Sequence, residues 1–150
     1  MHYRKAVKTD LPQVMAMIAN DKLGSLREDF RDPLPPAYYR AFDIINENPF
    51  QELTVVENEQ GEIVGTMHLT FLQYLTYTGG LRMQIEAVRI KDFERGKGLG
   101  QQMMEWAIDR AKSKGCHMIQ LTSDKARPDA LRFYEKLGFK NSHEGFKMHL

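Results

Sequence analysis

The residue pattern with the clearest chemical meaning is a glycine-rich run, Arg-Gly-Lys-Gly-Leu-Gly, at residues 95–100. It lies between a predicted strand and a predicted helix. The start of a helix has backbone N–H groups without intrahelical partners and a partial positive charge. Glycines allow the backbone to approach an anion closely, and Arg95 and Lys97 add positive charge. The run therefore predicts a binding site for a phosphate or pyrophosphate group.

Two common nucleotide-binding motifs with similar glycines do not fit this run. A Walker A sequence requires Gly-x-x-x-x-Gly-Lys-Ser/Thr, and the dinucleotide fingerprint requires Gly-x-Gly-x-x-Gly. Neither spacing is present from Gly96 or Gly98. A glycine run before a helix is, by itself, as consistent with a structural turn as with a ligand site. Its interpretation therefore depends on the elements around it.

A second feature with chemical meaning is a carboxylate, Glu86, in the middle of the strand predicted over residues 81–90. A carboxylate in an otherwise apolar strand costs free energy unless it has a partner or a function. Alternation places these residues on one face of the strand: Arg82, Gln84, Glu86 and Val88. Glu86 is therefore a candidate general base. The structural alternative is an ion pair with Arg82 or Arg89.

Other polar side chains are candidates for contacts with a substrate, and we predict His68, Gln84 and Tyr74 for this role. A lone histidine in a strand is more often structural, and packing within a hairpin explains Tyr74 and Tyr77 equally well. Cys116 lies at a predicted helix–strand junction, where burial is a better explanation than catalysis. The five histidines have no close spacing, so no metal site is predicted.

The elements that would position these residues follow from hydrophobic period and turn signals. Strands are predicted over residues 2–7, 52–57, 63–71, 81–90, 118–122 and 145–150. Helices are predicted from residue 9 or 10 to about 20, over 37–46 and 99–114, and from 128 to about 138. The order is β-α-α-β-β-β-α-β-α-β. Antiparallel strands followed by strand–helix–strand crossovers indicate a mixed α/β (α+β) sheet with helices on both faces.

Length and composition exclude several classes of protein. The 150 residues fit one domain, and a net charge of +1 gives no broad field for nucleic acid or an anionic membrane. A single cysteine excludes an intrachain disulfide. The basic residues near the start are not followed by an apolar stretch, and no run of about 18 apolar residues exists. We therefore expect a cytoplasmic protein with neither a nucleic acid nor a membrane as partner.

Two motifs in this order resemble the GCN5-related N-acetyltransferase (GNAT) superfamily. Residues 95–100 fit its Arg/Gln-x-x-Gly-x-Gly/Ala pattern after a long fourth strand. Residues 130–139, Ala-Leu-Arg-Phe-Tyr-Glu-Lys-Leu-Gly-Phe, resemble its Ala-x-x-x-Tyr-x-x-x-Gly-Phe helix. The resemblance implies a GNAT fold with a mixed central sheet of six to seven strands. It also implies acetyl-CoA as cosubstrate and direct transfer in a ternary complex without an acyl-enzyme.

The resemblance also assigns roles to individual residues. Tyr134 would be the acid that protonates the departing thiolate, and Arg127 stands where the family often has an asparagine near the coenzyme phosphates. Histone-type members carry their catalytic glutamate at the position of Gln84, which argues against a histone substrate. The remaining coenzyme contacts implied by the family are Val88, Arg89 and Ile90 for the pantetheine arm and Arg95, Gly96, Lys97, Gly98, Leu99, Gly100 and Gln101 for the pyrophosphate.

The acceptor is less closely defined by the sequence. The pattern Arg-x-Asp-Ala-x-Arg-Phe-Tyr at residues 127–134, followed by Ser142 and His143, resembles aminoalkylphosphonate acetyltransferases. Residues 85–88, Ile-Glu-Ala-Val, resemble the fourth strand of glucosamine-phosphate acetyltransferases. Both resemblances imply a small primary amine, and the family suggests a homodimer. The alternatives are a non-catalytic acyl-CoA-binding sensor or subunit and a protein or peptide acetyltransferase.

Overall fold

The computed structural model describes residues 1–20 and 24–150, which form two compact units, Met1–Gln120 and Leu121–Leu150. The strands are β1 His2–Lys5, β2 Gln51–Glu57, β3 Ile63–Gln73, β4 Leu81–Ile90 and β5 Met118–Leu121. The helices are α1 Leu11–Ala19, α2 Pro36–Glu47, α3 Leu99–Ser113 and α4 Pro128–Lys136. Short helical turns lie at Lys8–Asp10, Thr76–Gly79 and Asp92–Glu94. Within the described ranges, no helix has both the length and the apolar character needed to cross a bilayer.

The strands lie in chain order in one sheet, and β1 to β4 are antiparallel neighbours. β5 runs parallel to β4. The His117 N–H donates to the Leu81 carbonyl, 2.9 Å away, and Gln120 Nε2 donates to Gln84 Oε1 at 2.8 Å. Both pairs are 36 positions apart, as a parallel register requires. The sheet is therefore mixed, as the order of elements predicts.

One face of the sheet packs against α1 and α2. Leu11, Val14 and Met15 of α1 are buried at the i, i+3, i+4 spacing that the sequence shows, and they share a core with Val55 of β2. Asp10 does not cap α1 with its side chain. Its carboxylate instead accepts hydrogen bonds from the Arg4 guanidinium and the Val7 N–H. We call this side of the sheet the α1–α2 face.

The opposite face packs against α3. The buried side chains of α3 are Leu99, Met103, Met104, Ala107 and Ala111. Arg110 donates two hydrogen bonds to the buried carboxylate of Glu52, at 2.6 and 2.9 Å. The ring of Trp106 stacks on Tyr3 at a centroid distance of 4.8 Å. Gly115, at φ 76°, follows the helix in the left-handed conformation expected of its C-terminal glycine.

The unit Leu121–Leu150 differs from expectation at its end. The strand predicted over residues 145–150 is wrong, because residues 137–150 form neither helix nor strand and 141–150 are all exposed. The sheet of the described residues consequently has five strands instead of six to seven. Phe146, Met148 and Leu150 do alternate as in a strand. Alternation of apolar residues matches the periodicity of a strand, but a strand also needs a hydrogen-bonding partner to be stable.

Candidate active site

The central feature of the site is a β-bulge in β4. His68 lies opposite Glu86, and Thr66 lies opposite Arg89, so two steps along β3 match three steps along β4. Ala87, at φ 51°, takes up the extra residue in a left-handed conformation that non-glycine residues rarely adopt. Bulges re-aim side chains and occur often beside active sites.

The bulge corrects the predicted alternation of β4. Opposed residues of antiparallel strands lie on the same face, so Arg89 lies on the face of Glu86. Unbroken alternation predicts Val88 on the same face as Glu86, but the extra residue at the bulge takes Val88 out of this alternating series. No sequence signal marks Ala87 as the site of a bulge, since alanine is ordinary in a strand.

A polar pair lies on the α1–α2 face immediately before the bulge. His68 of β3 and Glu86 of β4 are register partners, and His68 Nε2 lies 3.0 Å from Gln51 Oε1 of β2. Burial lowers the pKa of His68, and the charge of Glu86 opposes this effect only in part. His68 is therefore neutral near pH 7. Glu86 is exposed, so its carboxylate is accessible to a ligand. The structure thus brings these two predicted residues together.

The predicted anion site, residues 95–100, is a turn that leads into α3. Gly96 and Gly98 have φ of 77° and 82°, so both positions favour glycine. The first bond of the helix runs from the Gln102 N–H to the Gly98 carbonyl. By helix geometry, the N–H groups of the first helical residues, Leu99, Gly100 and Gln101, have no intrahelical acceptor. These donors and the helix dipole suit a phosphate.

The surroundings of this turn leave room for a ligand. A Cβ built on Gly96 or Gly98 would meet no heavy atom of the described residues within 4 Å. Arg95 and Lys97 are exposed and pair with Asp92 and Glu94, at 2.9 and 3.4 Å. Exposed pairs of this kind contribute little free energy, so the two cations can exchange their partners for a ligand phosphate.

A cavity of about 650 Å³ lies between α1 and the segment that follows β4. Its lining residues are Gln13, Ala16, Met17, Ala19, Asn20, Phe30, Ile90, Lys91, Asp92, Phe93 and Arg95. The volume falls within the range of small-molecule sites. Of the site residues predicted from the sequence, it includes Ile90 and Arg95. The sequence does not predict the α1 residues of this cavity, because their pattern is that of an ordinary helix face.

Tyr74 and Gln84 lie closer to the start of β4. The Arg82 guanidinium lies 4.5 Å from the centroid of the Tyr74 ring, at the end of the β3–β4 hairpin. Gln84 lies on the same face as Glu86 and joins β4 to Gln120 of β5. Gln84 therefore belongs to the half of β4 that precedes the bulge, and Tyr74 lies beside that half through its contact with Arg82.

Tyr134 and Arg127 lie in the unit Leu121–Leu150. Arg127 immediately precedes α4, and the half-buried ring of Tyr134 makes edge contacts with Phe133 and Phe139, at centroid distances of 5.2 and 5.9 Å. The aromatic packing that the sequence leaves open for Tyr134 is thus present, and its acid role stays a prediction.

The structure also shows the surroundings of Cys116 and of the types of side chain that could bind a metal. Cys116 is half-buried, and burial raises the pKa of its thiol, although the charge of Lys114 opposes this. A protonated thiol is a poor nucleophile, which agrees with a structural role. No group of three or more His, Cys, Asp or Glu side chains within residues 1–20 and 24–150 could hold a metal ion.

A model of the acetyltransferase (GNAT) family matches residues 21–139, which include the glycine turn, β4 and α4. The chain belongs to the GNAT family. The resemblance in the two motifs, the GNAT fold and the class of N-acetyltransferase are therefore confirmed. The roles of single residues stay predictions.

Named relatives of this GNAT protein act on small amines. It is 29% identical to the aminoalkylphosphonate N-acetyltransferase of Salmonella typhimurium, over 95% of this chain and 87% of the relative. It is 26% identical to the L-methionine sulfoximine/L-methionine sulfone acetyltransferase of Pseudomonas aeruginosa, over 93% of this chain and 80% of the relative. The crystal structure of a transcriptional regulator from Bacillus halodurans C-125 matches with a TM-score of 0.95 and 54% identity, covering 99% of both chains.

Proposed function

We propose that the protein transfers an acetyl group from acetyl-CoA directly to a small primary amine that also carries an anionic group. The observation that carries this proposal is the bulge at Ala87. It divides β4 into one half that bears Glu86 beside His68 and another half that leads to the glycine turn. The donor and the acceptor would therefore meet at the bulge.

The second half of β4 and the glycine turn are suited to hold the coenzyme. The N–H groups at the start of α3 and the side chains of Arg95 and Lys97 would bind its pyrophosphate. Backbone groups from Val88 to Ile90 would hold the pantetheine arm, and Arg127 would meet a phosphate. When bound, acetyl-CoA supplies the activated acetyl thioester.

The proton transfers are assigned to two side chains. Glu86 accepts the proton of the acceptor's ammonium group, directly or through water, so that the amine can act as nucleophile. Tyr134 donates a proton to the departing thiolate. Neutral His68 lies opposite Glu86 and binds the acceptor on the same face. Cys116 takes no part, since direct transfer requires no acyl-enzyme.

The anionic group on the acceptor follows from the chemistry of the relatives' substrates. Methionine sulfoximine and methionine sulfone are amino acids, so each carries an amine and a carboxylate. An aminoalkylphosphonate carries an amine and a phosphonate. The shared chemical class is a small amine with an acidic group, and we assign this class to the present protein.

Release of free CoA thiol tests the proposal. The purified protein is incubated with acetyl-CoA and 2-aminoethylphosphonate, L-methionine sulfone or a lysine-containing peptide. We expect thiol release with at least one of the two small amines. Turnover with the peptide alone would instead indicate a protein or peptide acetyltransferase.

A second candidate is an acyl-CoA-binding sensor or subunit. The observation that favours it is the 54% identity to a transcriptional regulator of Bacillus halodurans. Binding of acetyl-CoA in a titration, with no thiol release from any amine, would support this candidate and contradict the first. A cytoplasmic location and a homodimer are further proposals, tested by cell fractionation and by light scattering in solution.

A further inference from the structure

We propose that Arg82 binds the anionic group of the acceptor and so selects acidic amines over neutral ones. This inference rests on the proposed function and assigns a specificity role to a residue that has no part in the proton transfers. It comes from the position of Arg82 on β4, from the contacts of its guanidinium and from the absence of a described carboxylate beside it.

The position of Arg82 relative to Glu86 supports this role. Arg82, Gln84 and Glu86 occupy alternate positions before the bulge, so their side chains lie on the same face of β4. The Cα atoms of Arg82 and Glu86 are about 13 Å apart along the strand. A cation, an amide and a carboxylate therefore lie in one row on the face that carries the proposed base.

The guanidinium of Arg82 is held in place by aromatic rings. Its central carbon lies 4.5 Å from the centroid of Tyr74 and 5.1 Å from that of Tyr77. Its Nη2 also donates to the Thr76 hydroxyl at 3.4 Å, its one polar contact within the described residues. Ring faces attract a cation without neutralising its charge. The positive charge is therefore positioned and remains available to a ligand.

Two other arginines, one in β1 and one in α3, differ in this respect. Arg4 pairs with Asp10 and Glu57, and Arg110 pairs with Glu52. No carboxylate in the described part of the chain lies within 4.0 Å of Arg82, and its Nε is buried without a hydrogen-bond partner there. The guanidinium therefore has no anionic partner among the described residues, and an oxygen of the acceptor's acidic group would supply one at its outer nitrogens.

The turn that carries these rings is strained. Tyr77 and Thr78 have φ of 54° and 59°, a left-handed conformation that is unfavourable for both residue types. The Tyr77 ring stacks on His117 at 4.9 Å while also facing Arg82. Strained backbone that is maintained by its surroundings is concentrated at functional sites. The turn thus keeps Tyr77 over the guanidinium at a cost to local stability.

A comparison of two matched acceptors tests the role of Arg82. 2-Aminoethylphosphonate and its diethyl ester share the same amine, and only the first carries an anionic group. We expect the wild-type protein to have the higher kcat/KM for the free phosphonate. In Arg82→Gln, this preference should fall roughly 10- to 100-fold, the range expected for one hydrogen bond to a charged group, chiefly through KM. Arg82→Lys should retain part of it.

The control is Arg40→Gln, an exposed arginine on α2, which should keep the wild-type preference. Titration of 2-aminoethylphosphonate, followed by heat release, gives a second measure that needs no turnover. Thermal unfolding of each variant checks that it has folded. An unchanged preference and an unchanged affinity in Arg82→Gln would overturn the assignment.

The same measurements separate this inference from the proposed function. A protein that shows no turnover but binds the phosphonate in a manner dependent on Arg82 would contradict the enzymatic proposal and support the anion site. A protein that acetylates both acceptors equally well would support the enzyme and overturn the anion site. Failure to bind or acetylate either acceptor would overturn both.

Discussion

Some side chains of the candidate site can be identified from the sequence, and others cannot. Glu86 is identifiable because a carboxylate in a central strand requires a reason, and the structure places it opposite His68. The environment of Arg82 is not identifiable, since two tyrosine rings reach it from a turn in which Tyr77 and Thr78 are left-handed without being glycines. Sequence patterns identify residue types in unexpected places, and they do not show which contacts a side chain lacks.

Replacement of Glu86 by glutamine removes the proposed base and keeps the shape of the side chain. We expect kcat/KM to fall by roughly 100-fold or more, as is usual when a general base is lost. Initial rates of thiol release at several acceptor concentrations measure this change. Glu59→Gln, in an exposed turn, is the control and should behave like the wild-type protein.

Replacement of Tyr134 by phenylalanine removes one hydroxyl and preserves the ring that packs against Phe133 and Phe139. We expect kcat to fall roughly 100-fold while the Kd for CoA stays near normal, because only proton donation is lost. Initial rates of thiol release give kcat, and a titration with CoA gives the Kd. Tyr3→Phe is the matched control. An unchanged kcat in Tyr134→Phe would remove this residue from the acid role.

At the scale of elements, the sequence predicts β4 and α3 well. The strand over residues 81–90 and the helix start at Leu99 agree with the structure, because both are bounded by glycines in specific turn positions. The strand predicted over residues 145–150 fails for the opposite reason, since its alternation depends on a partner that the sequence does not specify. The bulge in β4 is also unpredicted, because it is defined by register with β3.

The glycine turn provides a test at this scale. Gly98→Glu places a carboxylate where the pyrophosphate is proposed to lie and forces a side chain into φ 82°. We expect a loss of CoA affinity of at least about 100-fold, from like charge and steric block. Gly61→Glu, at φ 77° in the turn between β2 and β3, is the control for backbone strain. CoA titration of both variants should show the loss in Gly98→Glu alone.

At the scale of the whole molecule, an ion pair between sheet and helix contributes to stability. Glu52 is buried, and burial acts to raise its pKa, but the hydrogen bonds and charges of Arg110 and Lys114 outweigh this and lower it. Arg110→Ala should therefore destabilise the protein by about 2 kcal/mol, since Lys114 remains as a partner. Urea unfolding at pH 7 measures this change. Lys112→Ala, which breaks an exposed pair, should change stability by less than about 0.5 kcal/mol.

The same ion pair gives a dependence on pH. The folded-state pKa of Glu52 lies below its ordinary value of 4.5, so the pair's contribution is fully present above that value. It is lost as the pH falls through the folded-state pKa. The difference in stability between wild type and Arg110→Ala should consequently shrink in acid. A difference that stays constant from pH 7 to pH 3 would contradict the assignment.

The extra residue in β4 has a consequence for comparing this chain with its relatives. Before Ala87, the even-numbered residues lie on the α1–α2 face, as Glu86 does, and after Val88 the odd-numbered ones do, as Arg89 does. The relation between residue number and face of the sheet is therefore reversed between the two halves of β4. An alignment against a strand without the insertion must open a gap at Ala87. Otherwise every residue of β4 after the bulge is compared with one from the wrong face.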